Sequence, residues 1–196
     1  MAKEMRYVKD GDWLFELELS SDTQFIEYRY FLSADDKPVF EEWERNHRMI
    51  FDGQSDTYSL YDYWQSRPDN LAFYSSAFTK GLFAHPCNTH ERVVRSGKKL
   101  MIKVAAPRVE KNQSVAISGN QEVLGNWNPD KVLILSCDLF PEWYIDLDIH
   151  EISFPLEYKF LVWDNDAQQP AYWELGENRS LHFENVQEHE TIAVSG

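Results

Sequence analysis

The chain has 196 residues, is 15% aromatic, and carries a formal charge of −14 with two cysteines. So acidic a surface is a poor partner for a phosphate backbone or an anionic membrane, both of which are held through Lys and Arg, and it suits a neutral ligand better. No charged-then-apolar leader follows Met1 and no run of about 18 apolar residues occurs, so a cytoplasmic protein with Cys87 and Cys137 as free thiols is expected.

In chain order, the first strand signal is WLFELEL, where Trp13, Phe15, Leu17 and Leu19 alternate with Glu16 and Glu18. That period predicts a half-buried strand. IEYRY follows, and then EEWERNHR with Trp43 and Glu44. Residues 52–97 open polar and end in a connector-like stretch, yet hold Tyr58, Tyr61, Tyr63, Trp64, Phe73, Tyr74, Phe78 and Phe83. Disordered spacers are poor in aromatics, so this linker is expected to pack on its neighbours, with a short helix over 76–83. Strands are then expected at 100–105 and 115–118, and WYIDLDI repeats the opening alternation through Trp143, Ile145, Leu147 and Ile149. In FPLEYKFLVW, Leu156, Tyr158, Phe160 and Val162 take one face, while Glu157, Lys159, Leu161 and Trp163 take the other. Strands at 180–184 and 191–195 complete the series. Short alternating strands separated by SGN, GNWNPD and WDND indicate an all-β chain whose 98–196 part is an antiparallel β-sandwich of about 100 residues.

The chain also repeats itself. Trp13, Leu17, Glu27, Tyr28, Asp36, Trp43 and Glu44 recur 130 residues later, without a gap, as Trp143, Leu147, Glu157, Tyr158, Asp166, Trp173 and Glu174. This predicts two copies of one module, an incomplete first copy over 1–51 and a complete second over 98–196, joined by the 52–97 linker. Positions 98–130 have no counterpart in the first copy. Its inner face, Trp13, Phe15, Leu17 and Tyr28, is therefore expected to lack cover, and edge pairing into a homodimer is one remedy.

A sugar ring offers C–H patches on its faces and hydroxyls at its rim, so a binding site needs flat apolar platforms with polar groups beside them. Trp127, in the turn-rich LGNWNPDK, and Trp173, in YWELGENRS, have the residue type for such platforms, and Lys159, Glu174 and Asn178 supply the polar types the rim requires. Together LGNW, EYKF and WE followed by NR resemble the starch-binding domains of carbohydrate-binding module family 20. That resemblance implies an immunoglobulin-like β-sandwich that binds α-1,4-glucan between Trp127 and Trp173, with Lys159 a sugar-contacting lysine and Glu174 and Asn178 lining the second platform.

Trp143 is read mainly as core, the alternative being the second sugar site that the resemblance implies, and Trp163 either widens the platform or shields the linker. In the first copy Trp43 and Arg29 stand where Trp173 and Lys159 stand, giving half a platform. Arg179 is read as structural. The pair of modules with its aromatic linker resembles the amino-terminal region of a 4-α-glucanotransferase of the amylomaltase type, glycoside hydrolase family 77. This implies a non-catalytic fragment that holds glucan for a catalytic domain in the parent chain.

No Gly-rich phosphate loop or nucleophile elbow occurs, so no cofactor is expected. His85, Cys87 and His90 lack a fourth zinc ligand. With 33 acidic residues, no catalytic carboxylate pair stands out. A protein-association module and a glucan-active enzyme remain as rival readings.

Overall fold

A computed structural model of the chain describes residues 2–9, 11–35, 37–42, 46–64 and 97–195. The first part holds β1 (Arg6–Tyr7), β2 (Trp13–Leu14), β3 (Phe25–Tyr28), β4 (Phe31–Ala34), β5 (Lys37–Glu41), β6 (His47–Ile50) and β7 (Thr57–Tyr61). The second holds β8 (Lys99–Ala105), β9 (Gln113–Gly119), β10 (Leu133–Ile134), β11 (Glu142–Asp148), β12 (Leu156–Asp164), β13 (Gln169–Trp173), β14 (Arg179–Leu181) and β15 (Glu190–Ser195). Short 3-10 turns lie at Glu122–Trp127, Pro129–Lys131 and Ile149–Glu151.

Two sheets share one core. One runs β11-β8-β15-β7; the other runs β10-β9-β12-β13, with β14 also on β12. Alternation explains why they close on each other. Along β11 every second residue is buried, Trp143, Ile145 and Leu147 among them, and β12 turns Leu156, Tyr158 and Phe160 inward to meet them. Leu100 and Ile102 of β8, Ile117 of β9 and Ile192 and Val194 of β15 fill the space between. At about 25 cal/mol per Å² of apolar area, each such fully buried side chain contributes about 1.5–3 kcal/mol.

The linker does more than connect. Its residues Thr57–Tyr61 form β7, which joins the second sandwich as an edge strand parallel to β15, with Tyr58 opposite Thr191 and Tyr61 opposite Val194. Behind it, β6 and Asp52 lie over the outer face of β8. Two lysines that a strand pattern would leave in water, Lys99 and Lys103, are buried there: Lys99 pairs with Asp52, and Lys103 Nζ donates to the Arg48 carbonyl at 3.2 Å.

The two regions show similar strand pairings, with one difference. Leu161 sits opposite Trp173 in β12–β13, and Phe31 sits opposite Glu41 in β4–β5. A bulge follows Val162 in one hairpin and Leu32 in the other, and across it Trp163 faces Pro170 as Ser33 faces Pro38. Prolines at a bulge on the last strand of a sheet cost no ladder hydrogen bond. Likewise Tyr158 pairs with Arg179, and Tyr28 with His47. The offset is 130 on the first strand of each hairpin (161 − 31) and 132 beyond its turn (173 − 41), because four residues join β12 to β13 and two join β4 to β5. The gap-free alignment therefore fails past that turn. Glu41, and not Trp43, occupies the register position of Trp173; Trp43 itself lies outside the described residues.

Three further expectations are corrected or left aside. WLFELEL is a strand only at Trp13–Leu14, paired with β1, and its apolar residues stand in solvent, with Trp13 57% and Leu17 55% exposed. WYIDLDI becomes a buried strand because β8 pairs along its whole length, from Glu142 opposite Ala105 to Asp148 opposite Lys99. The free-thiol reading is also wrong for Cys137, which is disulfide-bonded. Cys87 and the 76–83 helix lie outside the described residues.

Candidate functional site

In an antiparallel pair, directly opposed residues share a face of the sheet. Trp173 therefore shares the outer face of its sheet with Leu161, and Leu161 shares it with Lys159 and Trp163, two residues away on β12. Across β9 the same face carries Ala116 and Ser118, opposite Leu161 and Lys159. Both are fully buried, so something covers them. Over Ser118 lies the Glu122–Trp127 turn: Ser118 Oγ donates to the Leu124 carbonyl at 3.2 Å, while the Leu124 side chain joins the core between the sheets. From there the chain enters Pro129–Lys131, which packs against β13.

The LGNW sequence is what lets this turn lie so close. Gly125 adopts φ +79°, Asn126 and Trp127 follow at +52° and +59°, and a Cβ on Gly125 would run into the Lys131 carbonyl. Only glycine meets both demands. Asn128 caps the next turn by accepting from the Asp130 N–H at 3.0 Å. Trp127, Trp173, Lys159 and Trp163 are each half-buried, and Asn178 is exposed. Trp173, Lys159 and Trp163 thus share one outer face, and Trp127 ends the turn bonded to Ser118 on that face.

The residues after Trp173 are tied down. The Glu174 N–H donates to the Phe160 carbonyl at 2.9 Å, and its Oε2 accepts from the Phe160 N–H at 3.3 Å. Arg179 reaches both oxygens, Nε to Oε1 and Oε2 at 3.0 and 3.1 Å and Nη2 to Oε1 at 2.6 Å. Its guanidinium lies 5.2 Å from the centre of the Phe160 ring. Lys159 Nζ donates to the Gly176 carbonyl at 2.6 Å. The Glu174 hydrogen bonds, working against partial burial, raise the Arg179 pKa.

Trp143 takes no part. It is 1% exposed, donates from Nε1 to the Ala106 carbonyl at 3.1 Å, and offers a ligand no ring face. On the opposite sheet a separate cleft of about 230 Å³ lies between Arg48, Asp52 and Tyr58 and the β8–β11 residues Lys99, Tyr144 and Asp146. Asp146 Oδ1 has no hydrogen-bond partner there, and burial raises its pKa.

The first region builds its counterpart differently. Glu42 Oε2 accepts from the Tyr30 N–H at 2.9 Å, as Glu174 does from Phe160, 130 residues on from Tyr30. In Arg179's place stands His47, with Nε2 3.1 Å from Glu42 Oε2 and Nδ1 3.4 Å from Asp62 Oδ1. Tyr28 stacks on the His47 ring and, with Tyr30, donates to Asp62. All three ionisable side chains are at most 2% exposed. Burial alone would lower the His47 pKa, but Asp62 and Glu42 outweigh it and the net shift is upward. For Asp62 burial pushes upward, and the His47 and Tyr28 hydrogen bonds bring it well below the usual carboxylate range. Arg29, at the position of Lys159, pairs at 3.6 Å with Glu41. No sequence pattern singled out His47 or Asp62; the one available signal was the Tyr28 and Tyr30 pair on the strand beside them.

Among known families, the starch binding domain matches residues 99–192. That stretch is a starch-binding domain of carbohydrate-binding module family 20. The chain thus holds a non-catalytic module of the kind that binds starch or α-glucan. A glucoamylase-1 of Schizophyllum commune is 28% identical over 69 residues, which cover 35% of this chain and 11% of the glucoamylase. Among solved structures, the family 20 module of a maltotetraose-forming amylase from Pseudomonas saccharophila is 22% identical, with a TM-score of 0.38, covering 50% of this chain and 99% of that one. A γ-CGTase from an alkalophilic Bacillus clarkii is 25% identical, with a TM-score of 0.40, covering 50% of this chain and 15% of that one. The match spans 11% of the length of the glucoamylase and 15% of that of the γ-CGTase.

Proposed function

We propose that this chain holds α-1,4-glucan on the outer face of β12 and β13, with Trp127 and Trp173 as platforms and Asn178 at their rim. The observation that carries this reading is that the turn ending in Trp127 is bonded, through the Leu124 carbonyl, to Ser118 on the same sheet face as Trp173 and Lys159. Stacking one face of each indole supplies about 1–3 kcal/mol per ring, which puts affinity at roughly micromolar to millimolar. Such weak binding suits docking, where tethering raises local substrate concentration without touching the chemical step.

The first region is, on this reading, a second module of the same ancestry that has lost its platform, since Glu41 fills the register position of Trp173. The parent enzyme is a 4-α-glucanotransferase of the amylomaltase type, a reading that rests on the sequence resemblance of the two modules and their aromatic linker. Incubated alone with maltotriose, the chain should yield neither longer nor shorter oligomers. Turnover that co-purifies with the chain would make it an enzyme in its own right.

The binding test is calorimetric titration with maltoheptaose. Trp127→Ala and Trp173→Ala should each lose about 1–3 kcal/mol of binding with the fold intact. Two mutants that bind like the parent would remove the site from this face.

A further inference from the structure

We propose that Arg179 is a positioning residue of the glucan site: it clasps both carboxylate oxygens of Glu174, so that Glu174 shapes the loop carrying the platform instead of contacting sugar. The inference rests on the glucan-binding reading above and refines it.

An ionised carboxylate offers about four lone-pair sites. In Glu174, Oε1 accepts from Arg179 Nε and Nη2, and Oε2 accepts from Arg179 Nε and the Phe160 N–H. Three N–H groups thus hold the carboxylate, the single Arg179 Nε–H being shared between its two oxygens, so both oxygens are engaged before a ligand arrives. The bonds are also the strong kind, because a bidentate guanidinium–carboxylate pair fixes both distance and plane. Glu174 follows Trp173 directly, and its main-chain N–H is bonded to Phe160, so fixing its side chain fixes where the indole begins.

The other end of the loop is fixed as well. Arg179 is a β14 residue paired with Tyr158, and its guanidinium packs on Phe160, so Arg179 is held by the same strand that Glu174 grips. Between these anchors Lys159 holds the Gly176 carbonyl. Residues 174–179 thus form a loop closed by a Glu–Arg clasp, with Asn178 exposed one residue before it. Among the described residues Asn178 makes no side-chain hydrogen bond in this structure, so its amide is the group on the loop that can both donate to and accept from a sugar rim. A loop ordered before the ligand arrives loses less entropy on binding.

Independent contacts and a shared clasp give different arithmetic. If Glu174 touched sugar independently, the losses from Arg179→Ala and Glu174→Ala would multiply. If the clasp acts as a unit, the double variant is no worse than either single one. The experiment is titration of β-cyclodextrin into the full chain and into Arg179→Ala, Glu174→Ala, the double variant and Arg179→Lys, with urea unfolding midpoints measured alongside.

The expected result is about tenfold weaker binding in each single variant and in the double, and partial recovery in Arg179→Lys, which restores the charge without the fork. Parent-like binding in Arg179→Ala, or about a hundredfold loss in the double variant, would overturn the proposal. If Arg179→Ala does not fold, Arg179→Lys and Glu174→Gln complete the same cycle and are judged by the same rule. Failure of the parent to bind β-cyclodextrin at all would instead overturn the glucan reading on which this inference rests.

Discussion

The hairpin β12–β13 with β14 and the hairpin β4–β5 with β3 and β6 pair their strands in a similar pattern and carry different side chains. Both have the bulge, the facing proline and a glutamate that accepts from the first strand's main chain. In the second region the clasp is Glu174 with Arg179, partly open to solvent and next to Trp173 in the chain. In the first it is Glu42 with His47, roofed by Asp62 and two tyrosines. Asp62 directly follows β7, which is a strand of the second sandwich. The surface that carries Trp173 in one region thus corresponds to one that seats the linker in the other, and through it joins the two regions.

That comparison can be broken most forcefully at His47. His47→Ala leaves the buried Asp62 and Glu42 without this cation, and breaking a buried pair in this way costs about 3–5 kcal/mol. Urea unfolding should show the loss, and hydrogen exchange should rise first in residues 25–62 while 99–192 keep their protection. Equal loosening of both regions would contradict a seat local to the first. The same seat titrates. His47, with its pKa raised, contributes stability that is complete below its unfolded value of about 6.5 and is lost as pH rises through the higher folded value. Asp62, with its pKa lowered, contributes stability that is present above about 3.9 and is lost as pH falls through its folded value. The first region should therefore be tightest between about pH 4 and 6.5 and should loosen on the alkaline side, and His47→Ala should abolish the alkaline arm.

A smaller effect is expected on the other side of the comparison. Gly125→Ala sets a side chain against the Lys131 carbonyl at a positive φ, which costs about 1–3 kcal/mol and displaces the turn that carries Trp127. Glucan titration should weaken while exchange in residues 25–62 stays unchanged. An unaltered affinity would detach Trp127 from the site.

Sequence pattern conveyed the sandwich well where a strand has a partner and a core beneath it, as Trp143, Ile145 and Leu147 do along β11. The same alternation misled at Trp13, Phe15 and Leu17, because period describes two faces and says nothing of what covers them. Trp43 misled for another reason: two residues fewer in the β4–β5 turn moved the register, and a matching Trp-Glu pair two positions on concealed the change. LGNW and the glutamate–arginine pair of YWELGENRS were legible as motifs, since both answer local demands of turn and loop. His47, Asp62, Lys99 and Lys103 were not, because each is buried only by a segment distant in sequence.

The central claim is that glucan is held by the second region and not by its counterpart in the first. The most direct test is β-cyclodextrin titration of the full chain, Trp173→Ala and Glu41→Ala, substituted at the same register position of the two hairpins. The account predicts about a tenfold or greater loss for Trp173→Ala, as expected from removing one platform, and parent affinity for Glu41→Ala. Parent affinity in Trp173→Ala, or an equal loss in Glu41→Ala, would contradict it.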